Sequence, residues 1–296
     1  MVEDIQHSSD RSRIAIAGST GRVGGALTKI LEADPVHVVA LTRRPDEVKF
    51  SPGVTVSTVN FEAPSTLREA MRGADRLFLA HGGSPQQVAN EIALIDAAIA
   101  SGVRHIVKLS AMGPATRLYP FAWHMEIEAH LARQPVASTV LRPSAFADLL
   151  KRSASQIASG TWANAAGDGP VNFIDTRDVA DAARVALLEA FASESQRAYH
   201  LTGSRTWTME QVAETLSGLL GREVTYRYRS PEEERTALAA AGLPPLIVDV
   251  MVGLDQVCRE HGYREITSTF KDMTGKEARP LTGWLSENIG LFRKLG

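Results

Sequence analysis

The sequence predicts a doubly wound α/β fold, in which helices cover both faces of a parallel sheet, followed by a smaller C-terminal α/β lobe. Three observations lead to this prediction. Short apolar segments alternate with amphipathic helical patterns through the first half of the 296 residues. A glycine-rich turn separates the first apolar segment from the first helical pattern. From Gly160 onward the alternation loosens and turn residues become frequent.

The elements of the first half follow from this periodicity. Strands are expected over residues 13–17, 36–42, 54–59, 75–80, 103–109 and 136–141. Helices are expected over residues 22–33, 64–72, 86–101, 121–133 and 145–159. Because parallel strands require crossover connections, this order predicts a Rossmann-type core over 13–159, preceded by a flexible tail over 1–12.

Residues 160–296 are expected to form mostly a substrate-binding lobe over the carboxyl ends of the strands. One helix, over 177–190 with Thr176 as its cap, is expected to return to the core. Thr208 and Gln211 have the spacing of a capping box at another helix start. The remaining predicted elements are strands near 199–202 and 224–228, and helical segments over 230–260 and 284–295.

Composition excludes several classes of protein. The net charge is −2 and no basic run is present, so nucleic-acid binding has no electrostatic support. The single cysteine, Cys258, rules out an intrachain disulfide and a cysteine-based zinc site. A polar N-terminus and the lack of a long apolar run predict no targeting or membrane-spanning segment, and a cytoplasmic location is expected. Monomer and homodimer both stay open.

The glycine turn has the spacing G-x-x-G-x-x-G, with Gly24 as its third glycine. Glycines allow close backbone approach, and a helix start directs free amides and partial positive charge toward phosphate, so the turn predicts a dinucleotide pyrophosphate site. The alternative is a purely structural turn, because the spacing departs from G-x-G-x-x-G. The expected cofactor-binding residues here are Gly18, Ser19, Thr20, Gly21, Arg22 and Val23.

The second predicted strand ends in Arg43 and Arg44, where a site specific for NAD would place a carboxylate on the ribose. Two guanidinium groups favour a 2'-phosphate, since they form charge-assisted bonds to it. Asp46 and Glu47 lie beyond Pro45 and are expected to be out of reach. NADP(H) is therefore the preferred cofactor and NAD(H) the second choice. A solvated pair of loop charges is the alternative interpretation.

The tips of the other strands supply further cofactor contacts. Phe61 is expected beside the adenine, or else in the core, and His81 either contacts the cofactor or fills a polar loop position. The fifth and sixth strand tips are expected to face the nicotinamide. The full set of further contacts is Asn60, Phe61, Ala80, His81, Gly82, Ser110, Ala111, Pro143, Ser144 and Phe146.

Taken together, several segments resemble the NmrA-like branch of the atypical short-chain dehydrogenases/reductases over nearly the whole chain. These segments are the glycine turn, 103–110, 139–143, 173–180 and 199–203. The resemblance implies a Rossmann protein that binds NAD(P). Members of the family include quinone reductases, triphenylmethane-dye reductases, isoflavone-type reductases and redox-sensing regulators that bind the dinucleotide without turnover.

Ordinary short-chain dehydrogenases use a Tyr-x-x-x-Lys pair in catalysis. This sequence lacks the pair, because the residue four positions after Tyr119 is Trp123. The same helix carries His124 and Glu128 on one face, so that the carboxylate could orient the imidazole or anchor the helix. A similar His-x-x-x-Glu occurs in the quinone-reductase-like and dye-reductase-like branch. His124 is therefore a candidate acid and Glu128 its orienting partner; a structural or ribose-facing histidine is the alternative. His130 points to another face, so no metal site is expected.

The leading hypothesis is an NADPH-dependent oxidoreductase that transfers hydride to a small conjugated, aromatic or quinone-like acceptor. The main alternative is a non-catalytic NADP(H)-binding redox sensor with a protein partner. An isomerase or epimerase is disfavoured by the missing Tyr-Lys pair. Several aromatic residues fit either the core or the walls of a pocket, namely Trp162, Trp207, Trp284, Tyr226 and Tyr228.

Overall fold

A computed structural model describes residues 11–293, so the expected tail over 1–12 lies almost entirely outside the described residues. The strands are β1 (Arg13–Ala17), β2 (His37–Thr42), β3 (Thr55–Thr58), β4 (Arg76–Leu79), β5 (His105–Leu109), β6 (Ala137–Pro143), β7 (Ala145–Phe146), β8 (Thr161–Asn164), β9 (Val171–Ile174), β10 (Gln196–Leu201), β11 (Thr206–Trp207) and β12 (Thr225–Tyr228).

The helices are α1 (Arg22–Leu31), α2 (Pro64–Ala70), α3 (Gln87–Ala100), α4 (Phe121–Leu131), α5 (Ala154–Ser159), α6 (Thr176–Leu188), α7 (Met209–Leu220), α8 (Pro231–Ala240), α9 (Pro245–Arg259), α10 (Thr269–Thr274) and α11 (Leu281–Glu287). Short 3-10 helices cover Pro45–Glu47, Ala147–Ser153 and Ile289–Phe292.

The central sheet has seven strands in the order β10-β6-β5-β4-β1-β2-β3, and every neighbouring pair is parallel. The strand order reverses between β1 and β4, which is the position where Rossmann folds bind ligands. Two apolar clusters cover the two faces of this sheet. The predicted doubly wound α/β fold is therefore confirmed.

Smaller sheets complete the C-terminal part. One contains β11, β9 and β7, and another pairs β12 with β8. A third apolar cluster lies among these strands, α7 and α11. The helix α6 packs against α1, and β10 extends the central sheet beside β6. The boundary at residues 159 and 160 stays a prediction.

The predicted helix over 145–159 is wrong for most of its length. Ala145 and Phe146 form β7, which pairs with Phe173 and Ile174 of β9, and a 3-10 helix follows before α5. Pairing with a strand distant in the sequence outweighs the local helix preference. The segment therefore turns beside the sixth strand tip instead of starting a helix there.

Other differences concern helix ends. Asp175, not Thr176, caps α6, since its carboxylate accepts a hydrogen bond from the backbone N–H of Arg177 at 2.8 Å. The hydroxyl of Thr176 instead donates to Asp148 at 3.2 Å. The helical segment over 230–260 divides at Gly242, whose φ is +80°. The capping box of Thr208 and Gln211 is confirmed.

The segment 284–295 was predicted to be one helix. In the structure the helix begins earlier, at Leu281, and ends at Glu287, before a 3-10 turn. The short helix α10 was not predicted. It buries Phe270 in the apolar cluster that also contains residues of α6. Among residues 11–293, none of the helices is both long and apolar enough to cross a membrane.

Candidate active site

Two connected chambers lie along the carboxyl ends of the central strands. The outer chamber, of about 1030 Å³, extends from the glycine turn to the ends of β2 and β3. The inner chamber, of about 540 Å³, extends from the same turn toward α4 and α9. Both chambers are lined by Gly18, Thr20, Gly21, Ala80, His81, Gly82 and Gly83. The glycine turn and the loop after β4 therefore separate an outer from an inner compartment of one cleft.

The glycine turn is built by close backbone contacts. Gly18 has a φ of +76°, and its carbonyl accepts a hydrogen bond from the N–H of Gly21 at 2.8 Å. A Cβ on Gly24 would lie 2.2 Å from the same carbonyl oxygen, so a side chain there is excluded. Arg22 and Val23 begin α1 and line the inner chamber. This cradle, with a helix start directed into it, fits a dinucleotide phosphate.

Ser19 differs from its neighbours in the turn. It is buried, and its hydroxyl donates to the carbonyl of Leu41 at 3.0 Å. Ser19 is not among the residues that line either chamber. Its side chain therefore ties the turn to β2, and contact of Ser19 with the cofactor stays a prediction.

The residues after β2 and β3 line the outer chamber. Arg43 and Arg44 lie at its edge, and Arg44 forms an ion pair with Glu47 at 2.8 Å. Glu47 thus contacts the guanidinium of Arg44, and the expectation that Glu47 lies out of reach of a 2'-phosphate stays a prediction. Asn60 and Phe61 also line the chamber, and Phe61 packs edge-on against His81, with ring centroids 6.2 Å apart.

The imidazole of His81 is held by its own loop. Its Nδ1 lies 2.5 Å from the carbonyl oxygen of Gly82, and its Nε2 lies 3.0 Å from the amide nitrogen of Asn90. The carbonyl requires a proton on Nδ1, so Nε2 accepts from the amide. Both ring nitrogens are thus used to shape the loop that lines the two chambers.

The inner chamber brings together the predicted tips of β5 and β6. Ser110, Ala111, Pro143, Ser144 and Phe146 all line it. Other residues of the same wall were not predicted from the sequence, namely Gln87, Pro120, Phe121, Trp123, Arg152, Leu246, Ile247, Val250, Leu254 and Tyr263. The chamber is therefore largely apolar and aromatic.

His124 also lines the inner chamber, and its Nδ1 lies 3.2 Å from Nζ of Lys108. An ammonium group only donates hydrogen bonds, so Nδ1 accepts and the proton of the neutral ring lies on Nε2. Burial and the charge of Lys108 lower the pKa of His124 well below its ordinary value. His124 is therefore a neutral imidazole with Nε2–H as its donor.

Lys108 is itself held by a buried carboxylate. Its Nζ lies 2.8 Å from Oε2 of Glu91, and neither side chain is exposed. The other oxygen of Glu91 accepts from the amide of Gln87 at 2.9 Å. The ammonium of Lys108 also donates to the carbonyl of Leu109. Lys108 on β5 and Glu91 and Gln87 on α3 thus form a fixed polar cluster that contacts His124.

Of the two roles that the sequence leaves open for Glu128, the structure shows the anchoring of its helix and not the orienting of His124. The carboxylate of Glu128 accepts from the hydroxyl of Ser110 and from Arg142, whose Nε lies 3.2 Å from both oxygens. Among residues 11–293, the side-chain hydrogen-bond partners of Glu128 do not include His124, whereas Lys108 contacts the imidazole, so Lys108 rather than Glu128 orients it. Glu128 pairs with Arg142 because the guanidinium on β6 is a stronger partner for a carboxylate than a neutral ring. Glu128 anchors α4 to β5 and β6.

His130 lies apart from this group and forms an ion-pair contact with Asp96 at 2.7 Å. Within residues 11–293, no cluster of His, Cys, Asp or Glu side chains has the number and spacing for a metal ion.

The sequence profile described as the NmrA-like family matches residues 10–284. The chain belongs to the NmrA-like family. The predicted resemblance is thereby confirmed.

Several known proteins match this NmrA-like chain over almost its whole length. An NAD(P)H azoreductase of Xenophilus azovorans is 28% identical, and the match covers 94% of this chain and 99% of that protein. A (4-alkanoyl-5-oxo-2,5-dihydrofuran-3-yl)methyl phosphate reductase of Streptomyces griseus is 31% identical over 94% of this chain and 99% of its own length. The crystal structure of an NADPH-dependent quinone oxidoreductase of Escherichia coli in complex with NADPH is 27% identical, with a TM-score of 0.85, over 94% and 98% of the two chains.

Two features of this NmrA-like site were missed in the sequence. The apolar residues Leu246, Ile247, Val250 and Leu254 of α9 have helical spacing, and that pattern could have indicated a face over the cleft. Lys108 and Glu91 had no such signal, because a lysine inside an apolar strand and a glutamate inside an apolar helix reveal nothing locally about their pairing.

Proposed function

We propose that this protein is an NADPH-dependent reductase whose acceptor is a small, flat, conjugated molecule such as a quinone. The observation that carries the proposal is the inner chamber, where a neutral imidazole N–H lies in an apolar, aromatic wall beside the tips of β5 and β6. The related azoreductase and quinone oxidoreductase support the same class of reaction.

The cleft has the residues that a dinucleotide requires. The backbone around Gly18 and the start of α1 would hold the pyrophosphate, and Gly24 lets α1 begin in contact with the carbonyl of Gly18 because a Cβ there would collide with it. Arg43 and Arg44 would hold a 2'-phosphate at the far end of the outer chamber. When bound, NADPH supplies the hydride.

The chain's own residues would contribute positioning, exclusion of water and one hydrogen bond. Phe121 and Trp123 of α4, together with α9, form apolar walls suited to a planar ring. Nε2–H of His124 would donate to the acceptor oxygen as negative charge develops there. Lys108 keeps that proton on Nε2 by donating to Nδ1. A conjugated acceptor fits a site without the Tyr-Lys pair because it requires less proton transfer than a simple ketone.

The test is NADPH oxidation by the purified full chain, followed at the reduced-nicotinamide absorbance band. Substituted 1,4-benzoquinones and azo dyes are the acceptors, and cyclohexanone is the unconjugated control. We expect turnover with the conjugated acceptors and none with cyclohexanone. Tight NADPH binding without turnover of any acceptor would overturn the proposal and favour the redox sensor. The cytoplasmic location, the lack of nucleic-acid binding and the choice between monomer and homodimer stay predictions.

A further inference from the structure

A separate cavity of about 120 Å³, here called the side cavity, adjoins the inner chamber. Both spaces are lined by Ala145, Leu149, Arg152, Leu254 and Tyr263, so they share a wall of side chains. The helix α9 continues from one to the other: Val250 lines the inner chamber, Leu254 lines both, and Cys258 lines the side cavity.

Most of the side cavity is apolar. Its wall includes Leu150, Phe173, Leu238 and Met251. An apolar cavity of roughly 150 Å³ is known to hold a benzene ring, so about 120 Å³ suits a short alkyl chain or a small ring. This volume is smaller than that of a cavity that holds benzene, so it favours a substituent of the acceptor over a second aromatic acceptor.

Polar residues interrupt this apolar wall, namely Arg152, Ser153, Gln156, Asn164 and Glu234. Two further polar groups belong to Trp162 and Asp255. Trp162 lines the side cavity and is buried, and its indole Nε1 has no hydrogen-bond partner within the described part of the chain. A buried donor without an acceptor is destabilising, so the site favours a ligand that supplies one. The second group is Asp255, whose carboxylate accepts from the N–H of Ala165 at 2.9 Å. Burial raises the pKa of Asp255 to about 7.

We propose that the side cavity receives an apolar arm of the electron acceptor, and that a hydrogen-bond acceptor near the end of this arm binds the indole N–H of Trp162. The inference rests on the proposed function, because the ring of the same molecule would occupy the inner chamber. It adds to that function a substrate class: conjugated acceptors with a short side chain that ends in a carbonyl or ether oxygen.

The experiment compares three 1,4-benzoquinones, which carry no arm, a butyl arm or a 3-oxobutyl arm. Their kcat/KM is measured with NADPH, and their Kd is measured by calorimetry with NADP⁺, which cannot reduce them. Trp162→Phe removes the N–H donor and part of the ring volume while keeping an aromatic side chain, and Ala166→Leu narrows the side cavity. Trp284→Phe is the matched control, since this buried tryptophan does not line the side cavity. Comparison across variants cancels the intrinsic reactivity of each quinone.

For the wild type we expect the butyl arm to tighten binding by about tenfold through apolar burial, and the ketone to add about threefold to tenfold. Trp162→Phe should remove the ketone's advantage alone, Ala166→Leu should remove both advantages, and Trp284→Phe should remove neither. Melting temperatures check that each variant is folded.

The two proposals fail in different ways. Turnover of all three quinones, with the same arm preference in wild type and both cavity variants, would overturn the side-cavity inference alone. Arm-dependent Kd values without turnover of any quinone would overturn the proposed function and support the cavity as a binding site. A side cavity filled by water would give equal Kd values for the three quinones, which also contradicts the inference.

Discussion

Nζ of Lys108 lies 3.2 Å from Nδ1 of His124, on the side of the ring opposite to the nitrogen that keeps the proton. The same ammonium is paired at 2.8 Å with Glu91, and both members of that ion pair are completely buried. Removal of one partner from such a buried ion pair is strongly destabilising, so Glu91 keeps Lys108 in place. Lys108 in turn holds the imidazole of His124 in one tautomer and is therefore a positioning residue.

Lys108→Met should lower the free energy of unfolding by about 3–5 kcal/mol, because it leaves the carboxylate of Glu91 buried without a counter-charge. The double variant Lys108→Met/Glu91→Gln should recover most of that loss. Its kcat should still be about tenfold below wild type with little change in KM, since the proton of His124 is no longer confined to Nε2. Urea unfolding and steady-state kinetics measure the two effects. A double variant with wild-type kcat would show that Lys108 is only structural.

His124→Ala should slow hydride transfer by about a hundredfold, with little effect on NADPH affinity, because the donor to the acceptor oxygen is lost. Glu128→Gln is the contrasting variant. Its carboxylate contacts Ser110 and Arg142, so we expect a lower melting temperature and a rate near wild type. Single-turnover measurement at saturating NADPH separates the two. An unchanged rate in His124→Ala would remove this side chain from the chemistry.

Replacing Arg43 and Arg44 together with alanine should weaken NADPH binding by about 2–4 kcal/mol and change NADH binding little. Glu47→Gln is the matched control. It releases Arg44 from its ion pair, and should therefore tighten NADPH and leave NADH unchanged. Calorimetric titration with both cofactors tests the prediction. Equal losses for NADPH and NADH in the double variant would argue against a 2'-phosphate site.

Gly24→Ala should abolish tight dinucleotide binding, because its Cβ would lie 2.2 Å from the carbonyl oxygen of Gly18 and force the turn apart. Gly25→Ala, one residue later in the same helix, is the control. Its Cβ would lie 3.4 Å from the carbonyl oxygen of Ser19, an ordinary contact, and helix stability should rise by about 0.5–1 kcal/mol. NADPH titration and thermal unfolding of both variants test this pair. Similar affinities would mean that the turn tolerates a side chain.

His105 makes stability depend on pH. Burial, with Arg76 and Arg197 nearby, lowers its pKa from 6.5 to about 4. The unfolded chain therefore takes up a proton below about pH 6.5 that the folded chain refuses until about pH 4. As pH falls through this window, stability should drop by about 3 kcal/mol from this residue. Asp255 acts in the opposite direction, because its raised pKa favours the folded state as pH falls below about 7.

The effect of His105 is isolated by difference. Urea unfolding of wild type and His105→Gln is measured at pH 7, 5.5 and 4.5. The variant should gain stability relative to wild type as the pH falls. Asp255→Asn should show the reverse trend, and parallel curves for wild type and His105→Gln would contradict the assigned pKa.

Much of the fold was predictable because its signals are local. The apolar strands, the glycine turn and the capping box of Thr208 and Gln211 each depend on residues close in sequence. The pattern failed over 145–159, where pairing between β7 and β9 outweighed helix preference. It also failed for a contact between Glu128 and His124, which their spacing on α4 indicated, since the carboxylate pairs instead with Arg142 on β6.

The parallel sheet, the turn at Gly18 and the cationic strand end at Arg43 and Arg44 follow from local sequence signals, because backbone periodicity and glycine conformation act over a few residues. The partners of His124 and the side cavity follow from tertiary packing. Those depend on which strands become neighbours and on how α9 packs over the cleft. Contacts between side chains that are distant in sequence arise from that packing, so no local pattern records them.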